Sequence, residues 1–128
     1  DYLQALRLRT RAMADFADIF KAVDVVLSPA TAILAPPIPP ESLSHGLADL
    51  SSVTELMRFA VPGNMTGLPA ITFPVGYSRN GLPISMQAMG RPWEEGVLLR
   101  VAHIVENLMT RKPPRCHFKL LASDIVGG

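Results

Sequence analysis

The sequence predicts an α/β fold in which helices cover a β-sheet. Apolar residues recur at helical spacing in two long segments, and short runs rich in β-branched and aromatic residues lie between them. One pair of these runs flanks an Asn-Gly turn. Because helix-like and strand-like segments alternate along the chain, we expect them to form one α/β unit.

Residues 2–23 are predicted to form an amphipathic helix, because apolar side chains recur at steps of three and four residues. The stripe consists of Leu3, Leu6, Met13, Phe16, Ile19, Phe20 and Val23. We expect the stripe to be buried and the charged residues, among them Arg7 and Asp15, to contact solvent. The apolar residues 25–27 then predict a strand buried on both faces, which Pro29 ends because proline has no N–H for a ladder.

A long loop and a short helix are predicted next. Residues 28–46 contain five prolines and are expected to be extended. Residues 51–60 are predicted to form a helix whose N-cap is Ser51 or Ser52. Pro62 is expected to end this helix, since proline interrupts the hydrogen bonds of a helix interior.

A loop over residues 64–69 leads into a predicted β-hairpin. Its strands are residues 70–75 and residues 82–89. Pro74 inside the first strand predicts an edge position, a bulge or an irregular ladder. The turn over residues 78–81 contains Asn-Gly, which favours positive φ at both central positions.

A Gly-Arg-Pro sequence at residues 90–92 ends the hairpin. Residues 93–109 are predicted to form the last helix, with a wide apolar stripe. Trp93 is expected to be a packing anchor rather than a ligand contact. Near the end of the chain only a weak apolar segment is visible, Phe118–Ala122.

Composition limits the classes of function. Hydrophobic residues make up 48% of the 128 residues and charged residues 18%, so the chain is more apolar than a self-contained domain usually is. This favours either a segment that packs against a part absent from the chain or a membrane-associated protein. A net charge of +1 without a broad basic face argues against nucleic acid as a partner. One cysteine and three scattered histidines predict neither a metal site nor a cofactor.

Two stretches resemble the amidase signature family. The string NMTGLPAITFPVGYSRNGLPISMQAMGRPWEEGVLLRVA, from Asn64, is similar to the family's C-terminal motif, and VDVVLSPATAILAPPIPPE, from Val23, is similar to an upstream strand and loop. The resemblance implies that residues 1–128 are the C-terminal part of an amidase-signature fold, a mixed β-sheet core covered by helices. The start at Asp1 rather than at a methionine suggests a fragment or a processed product.

Within the family, the chain most resembles plant-type fatty acid amide hydrolases. The residues that carry this likeness are Ile38–Glu41, Thr54–Phe59, Gly90–Trp93 and Lys112–Pro114. Met57 stands where glutamyl-tRNA amidotransferase subunits tend to have an aspartate. The resemblance therefore implies hydrolysis of fatty acid amides or N-acylethanolamines by the intact protein, which would be intracellular, with membrane association as an alternative.

The resemblance assigns no catalytic residue to this chain. The family uses a serine nucleophile, a second serine in a cis peptide and a lysine, and no Gly-Gly-Ser-Ser-Gly run occurs here. The expected partners are therefore an N-terminal catalytic half of the same protein and a lipid-like amide, and the resemblance also implies peripheral membrane contact and a homodimer. The alternative function is a non-catalytic, truncated amidase-like protein that acts as an interaction module.

By position, the resemblance places four residues in the wall of an acyl channel: Leu50, Val53, Thr54 and Met57. Apolar side chains suit a lipid tail, and methionine adapts to irregular shapes. The alternative is that Leu50, Val53 and Met57 belong to the core.

Overall fold

The computed structural model describes residues 1–46 and 49–112, and it confirms an α/β fold. In chain order, the elements of that part are α1 (Tyr2–Ile19), β1 (Val25–Pro29), α2 (Ser42–His45), α3 (Leu50–Met57), α4 (Val61–Thr66), β2 (Ala70–Tyr77), β3 (Pro83–Gly90) and α5 (Glu95–Leu108). The apolar segment Phe118–Ala122 lies outside the described residues.

The strands form an antiparallel sheet in the order β1-β3-β2. Ala88 of β3 pairs with Leu27 of β1 and with Ile71 of β2. Pro29 is the last residue of β1, as predicted. The prediction that β1 is buried on both faces is wrong for the described residues, since the Leu27 side chain is 52% exposed. β1 lies at the edge of this sheet and has β3 on one side only.

The hairpin of β2 and β3 confirms one prediction and corrects another. The register shifts between Pro74 and Gly76, so the predicted irregularity at the proline is confirmed. In the turn, Gly81 has a φ of 81°, whereas Asn80 does not have a positive φ. The expectation of positive φ at both residues is wrong, because the loop is longer than two residues. The Gly81 N–H donates to the Ser78 carbonyl oxygen at 2.9 Å, and one left-handed residue then suffices.

The core lies between the sheet and α5. Leu98 of α5 is 1% exposed and packs with Phe73 and Ala88. Gly90 of β3 lies directly against Leu98, because a Cβ added to this glycine would lie 3.1 Å from Leu98 Cγ. The missing side chain at Gly90 therefore allows the close approach of α5 to the sheet.

The corner before α5 differs from the prediction. Trp93 has a φ of 66°, and α5 begins at Glu95 rather than at Trp93. The Trp93 side chain is 92% exposed. The expectation that Trp93 is a packing anchor is wrong within the described residues, since its left-handed backbone takes it out of the helix whose stripe covers the sheet.

The opposite face of the sheet faces the segment around α4, where the sequence predicts a loop. Pro62 lies in the first turn of α4, where the N–H has no helical partner in any case, so this proline begins a helix instead of ending one. Gly67 ends α4 with a φ of 76°. The Gln87 side chain of β3 donates from Nε2 to the Phe59 carbonyl oxygen at 3.1 Å, which ties the segment before α4 to the sheet.

α1 packs mainly on α4, and Arg9 donates from Nε to the Met65 carbonyl oxygen at 2.7 Å. Phe20 is buried, but Leu3 is 71% and Met13 is 45% exposed. The predicted burial of the apolar stripe is therefore wrong for the described residues, because α1 contacts its neighbours along a narrow side only. Among residues 1–46 and 49–112, no helix combines the length and the apolar character that a membrane span requires.

Candidate functional site

Asp49 is the N-cap of α3, a position for which the sequence predicts Ser51 or Ser52. One carboxylate oxygen of Asp49 accepts from the Ser51 backbone N–H at 3.0 Å and from Ser51 Oγ at 2.8 Å. The other accepts from Ser52 Oγ at 2.5 Å. The hydrogen bond from Ser52, followed by those from Ser51, lowers the pKa of Asp49 to about 2. The serine prediction is wrong because both hydroxyl groups donate to this carboxylate.

The structure brings the four predicted substrate contacts together on α3. Leu50 is 82%, Val53 50% and Met57 44% exposed. Their spacing of three and four residues places them on one side of the helix. Thr54 is also exposed, and its Oγ1 donates to the Leu50 carbonyl oxygen at 2.8 Å. None of these four side chains is buried within the part of the chain that the structure describes.

Thr54 borders a cleft of about 420 Å³ between α3 and the proline-rich loop. The cleft is lined by Ile33, Ser51, Ser52, Thr54 and Glu55. The Ala32 N–H donates to the Glu55 carbonyl oxygen at 3.2 Å and holds the loop against the helix. Leu50, Val53 and Met57 do not line this cleft. Ile33 was missed from sequence, and the only signal for it is an Ile-Leu pair at residues 33–34 within a loop of small residues and prolines.

The polar groups at this cleft are not arranged for nucleophilic catalysis. A serine nucleophile needs a base that accepts its proton. The acceptor next to Ser51 and Ser52 is Asp49, and a carboxylate with a pKa of about 2 is a poor proton acceptor near neutral pH. Glu55 pairs with Arg58 at 2.5 Å. The described residues of this cleft therefore offer no activated serine.

Arg91 organises the corner between β3 and α5, a role that the sequence does not reveal. Its Nη2 donates to the carbonyl oxygens of Phe20 at 2.8 Å and Val23 at 3.0 Å. Its Nη1 donates to Asp24 at 3.1 Å and to Glu94 at 3.2 Å. Hydrogen bonding to Glu94, and then to Asp24, raises the pKa of the guanidinium group. The end of α1, the start of β1 and the approach to α5 are thus joined through one side chain.

Other cavities among the described residues lie outside α3. One, of about 310 Å³, lies between β2 and α5 and is bordered by Phe73, Tyr77 and Leu99. Another, of about 420 Å³, lies beside Trp93 and Asn64. A smaller one, of about 190 Å³, is bordered by Leu34 and Ile84. Within residues 1–46 and 49–112, no three His, Cys, Asp or Glu side chains are grouped closely enough to hold a metal ion.

Comparison with known proteins identifies the family. A family model described as Amidase matches residues 1–99. Because this match spans well over half of the chain, the protein belongs to the amidase family, and the resemblance seen in the motifs from Val23 and from Asn64 is confirmed.

Individual relatives agree with the family. The chain is 46% identical over 126 residues to a fatty acid amide hydrolase of Medicago truncatula, covering 97% of this chain and 21% of the relative. It is 38% identical over 120 residues to a glutamyl-tRNA(Gln) amidotransferase subunit of Brucella ovis, covering 88% of this chain and 22% of that relative. The solved structure of a glutamyl-tRNA(Gln) amidotransferase subunit from Thermotoga maritima matches with a TM-score of 0.70 at 27% identity, covering 83% of this chain and 22% of that one. The chain thus spans about a fifth of the length of these relatives.

Proposed function

We propose that this chain is the C-terminal part of an amide hydrolase that acts on fatty acid amides such as N-acylethanolamines. In this proposal the exposed face of α3 forms a wall of the acyl channel, and the catalytic serines and lysine come from an N-terminal half. The observation that carries the proposal is the exposure of Leu50, Val53 and Met57 on one side of a capped helix. Apolar side chains kept out of the core are available to an apolar ligand.

Two further observations support the proposal. The chain is more similar to the Medicago truncatula fatty acid amide hydrolase, at 46% identity, than to the Brucella ovis amidotransferase subunit, at 38%. In addition, the hydroxyl groups of Ser51 and Ser52 donate hydrogen bonds to the Asp49 carboxylate, which is too weakly basic to activate them. Catalytic serines and a lysine supplied by another part of the protein are consistent with both observations.

A chimera tests the proposal directly. This chain would replace the matching segment of the Medicago truncatula hydrolase, and hydrolysis of a long-chain N-acylethanolamine would be measured against the parent enzyme. We expect the chimera to fold and to retain activity within about tenfold of the parent. A tenfold change in rate corresponds to only about 1.4 kcal/mol of activation free energy. A folded chimera without activity would instead favour the non-catalytic interaction module.

Variants of α3 test the acyl wall within the same chimera. Met57→Ala is expected to lower kcat/KM roughly 10- to 70-fold for a long acyl chain, since loss of two or three buried methylene-sized groups removes about 1.5–2.5 kcal/mol of contact. A short acyl amide that does not reach α3 should be hydrolysed at an unchanged rate. Leu50→Ala is a second test of the wall, and Leu43→Ala is its control. The two side chains are 82% and 81% exposed, but only Leu50 lies on α3. Equal losses with both substrates would contradict a wall role.

The partners of the whole protein form part of the same proposal. They are the N-terminal catalytic half, the lipid-like amide, a second copy of the protein and a membrane surface. Leu3 and Leu8 of α1, which are 71% and 56% exposed, are apolar groups of this chain that could serve a membrane or a dimer contact. Flotation of the chimera with phospholipid vesicles, compared with a Leu3→Ser, Leu8→Ser variant, separates a membrane role of α1 from a protein contact.

A further inference from the structure

Trp93 combines two unfavourable properties. Its backbone lies in the left-handed region, with a φ of 66°, where bulky side chains are rarely found. Its side chain is 92% exposed, so the described chain gives this large apolar ring almost no packing. Backbone strain that the surrounding structure holds in place is often found at functional positions.

Hydrogen bonds of its neighbours fix the backbone on both sides of Trp93. On one side of Trp93, the Gly90 N–H donates to the Pro69 carbonyl oxygen at 3.0 Å. On the other side, the Glu94 N–H donates to the Arg91 carbonyl oxygen at 3.2 Å, while the Arg91 side chain is anchored to the end of α1. The backbone before and after the tryptophan is therefore held in place. Because the backbone here is already ordered, only the Trp93 side chain has to be ordered when a partner binds it.

A cleft of about 420 Å³ lies beside the Trp93 ring. It is lined by Gly63, Asn64, Gly67, Leu68, Pro69, Pro92, Trp93 and Glu95. Apolar residues such as Leu68 alternate here with the amide of Asn64 and the carboxylate of Glu95. Lipid hydrocarbon would desolvate that carboxylate without pairing it, whereas a protein surface can offer a donor. The mixture therefore favours a protein partner.

We propose that Trp93 is the anchor by which this chain docks onto the remaining part of the amide hydrolase. The inference depends on the proposed function, because the occupant is the rest of that protein. The matched relatives are long enough to supply it, since the chain spans 21% of the Medicago truncatula relative. The partner surface is an apolar pocket with one hydrogen-bond acceptor for the indole N–H, beside donors that face Asn64 and Glu95. Exposed tryptophans that become buried in this way dominate the stability of interfaces.

Solvent access to Trp93 provides the first test. It is the only tryptophan of the chain, so acrylamide quenching of its fluorescence can be followed directly in the chain alone. In the chimera with the Medicago truncatula hydrolase, the signal of Trp93 is the difference between the chimera and its Trp93→Phe variant. We expect ready quenching in the chain alone and several-fold weaker quenching in the chimera. Equal quenching in both would overturn the inference.

Substitution of Trp93 provides the second test. Trp93→Gly should have opposite effects on stability in the chain alone and in the chimera. Trp93→Gly relieves the left-handed strain and is expected to raise the stability of the chain alone, measured by hydrogen exchange in β3 and α5. In the chimera the same substitution should lower the melting temperature, whereas Trp93→Phe, which keeps a ring, should lower it less. A rise in both settings contradicts the docking role.

The failure of this inference and the failure of the proposed function can be distinguished. A chimera that shields Trp93 but has no amide hydrolase activity upholds the docking role and removes the enzymatic proposal. An active chimera in which Trp93 stays exposed supports the enzymatic proposal and removes the docking role. A chimera that does not fold contradicts both the docking role and the enzymatic proposal. Shielding of Trp93 that appears only on addition of phospholipid vesicles would assign the ring to a membrane and overturn the docking role.

Discussion

Replacing Gly90 by alanine is expected to disrupt the contact between β3 and α5. The new Cβ would lie 3.1 Å from Leu98 Cγ, 3.2 Å from Cδ2 and 3.4 Å from Cδ1. Carbon atoms that are not bonded prefer separations of about 3.5–4.0 Å. Leu98 is 1% exposed and has little space into which it can move.

The magnitude follows from two opposing effects. Adding a methyl group to a packed core costs about 1–3 kcal/mol. Alanine also reduces the entropy of the unfolded chain relative to glycine, which stabilises the fold by about 0.4–1 kcal/mol. We therefore expect Gly90→Ala to lower the local stability by about 1–2 kcal/mol, which corresponds to roughly 5- to 30-fold less protection of the β3 and α5 amides.

Hydrogen exchange measured by mass spectrometry in the chimera is a suitable assay, because it reports β3 and α5 separately from the rest of a large protein. Two other glycines provide controls, since a Cβ at Gly76 or at Gly96 would meet nothing within 4 Å. Gly76→Ala should be nearly neutral. Gly96→Ala lies in α5 and should stabilise this helix by about 0.5–1 kcal/mol.

A double-mutant cycle tests the cause. Leu98→Ala alone should lower the stability by about 2–5 kcal/mol, because it opens a cavity in the core. With that space available, Gly90→Ala should have almost no further effect, giving a coupling energy of about 1–2 kcal/mol between the two positions. If Gly90→Ala has the same effect in both backgrounds, then its contact with Leu98 is not the reason for the glycine.

Two further predictions concern polar groups. Arg91→Lys should lower the melting temperature of the chimera, because a single ammonium group cannot bridge the Phe20 carbonyl and two carboxylates. Lys21→Ala is the control and should have a far smaller effect, because Lys21 pairs with an exposed aspartate only. Equal effects of the two substitutions would refute the role of Arg91 in joining these segments. Asp49→Ala should weaken amide protection in α3 at pH 7. Since the folded pKa of Asp49, about 2, is below its ordinary value of 3.8, its stabilising effect is present above pH 4 and is lost as the pH falls towards 2. A difference between wild type and variant that stays constant down to pH 2 would contradict this.

Much of the fold was predictable because it depends on neighbours within a few residues. The spacing of apolar residues located α1, α5 and both hairpin strands, and the missing N–H of Pro74 predicted the irregularity that the register shows. The errors have local causes as well. Pro62 suits the first turn of a helix as well as the end of the preceding one, and the sequence does not distinguish the two. The N-cap is Asp49 because its carboxylate accepts from both serine hydroxyls.

The candidate site was predicted only in part. The resemblance to a family indicated which α3 residues to consider, but their exposure could not be read from the sequence. Leu50 and Leu98 are the same residue type, and both lie on apolar helix faces. One is 82% and the other 1% exposed, since only α5 lies against the sheet. Burial depends on which elements meet, and sequence periodicity reports only that a face is apolar.

The amino-acid sequence was sufficient to establish the α/β class, the order of most elements and the family motif from Asn64 to Glu95. These depend on local periodicity, turn chemistry and residue order. The tertiary structure was needed to show that Gly90 admits Leu98, that Arg91 joins the end of α1 to a corner about 70 residues later, and that Trp93 points outwards. Such contacts join segments far apart in the chain, so they are set by strand register and helix packing rather than by any local pattern.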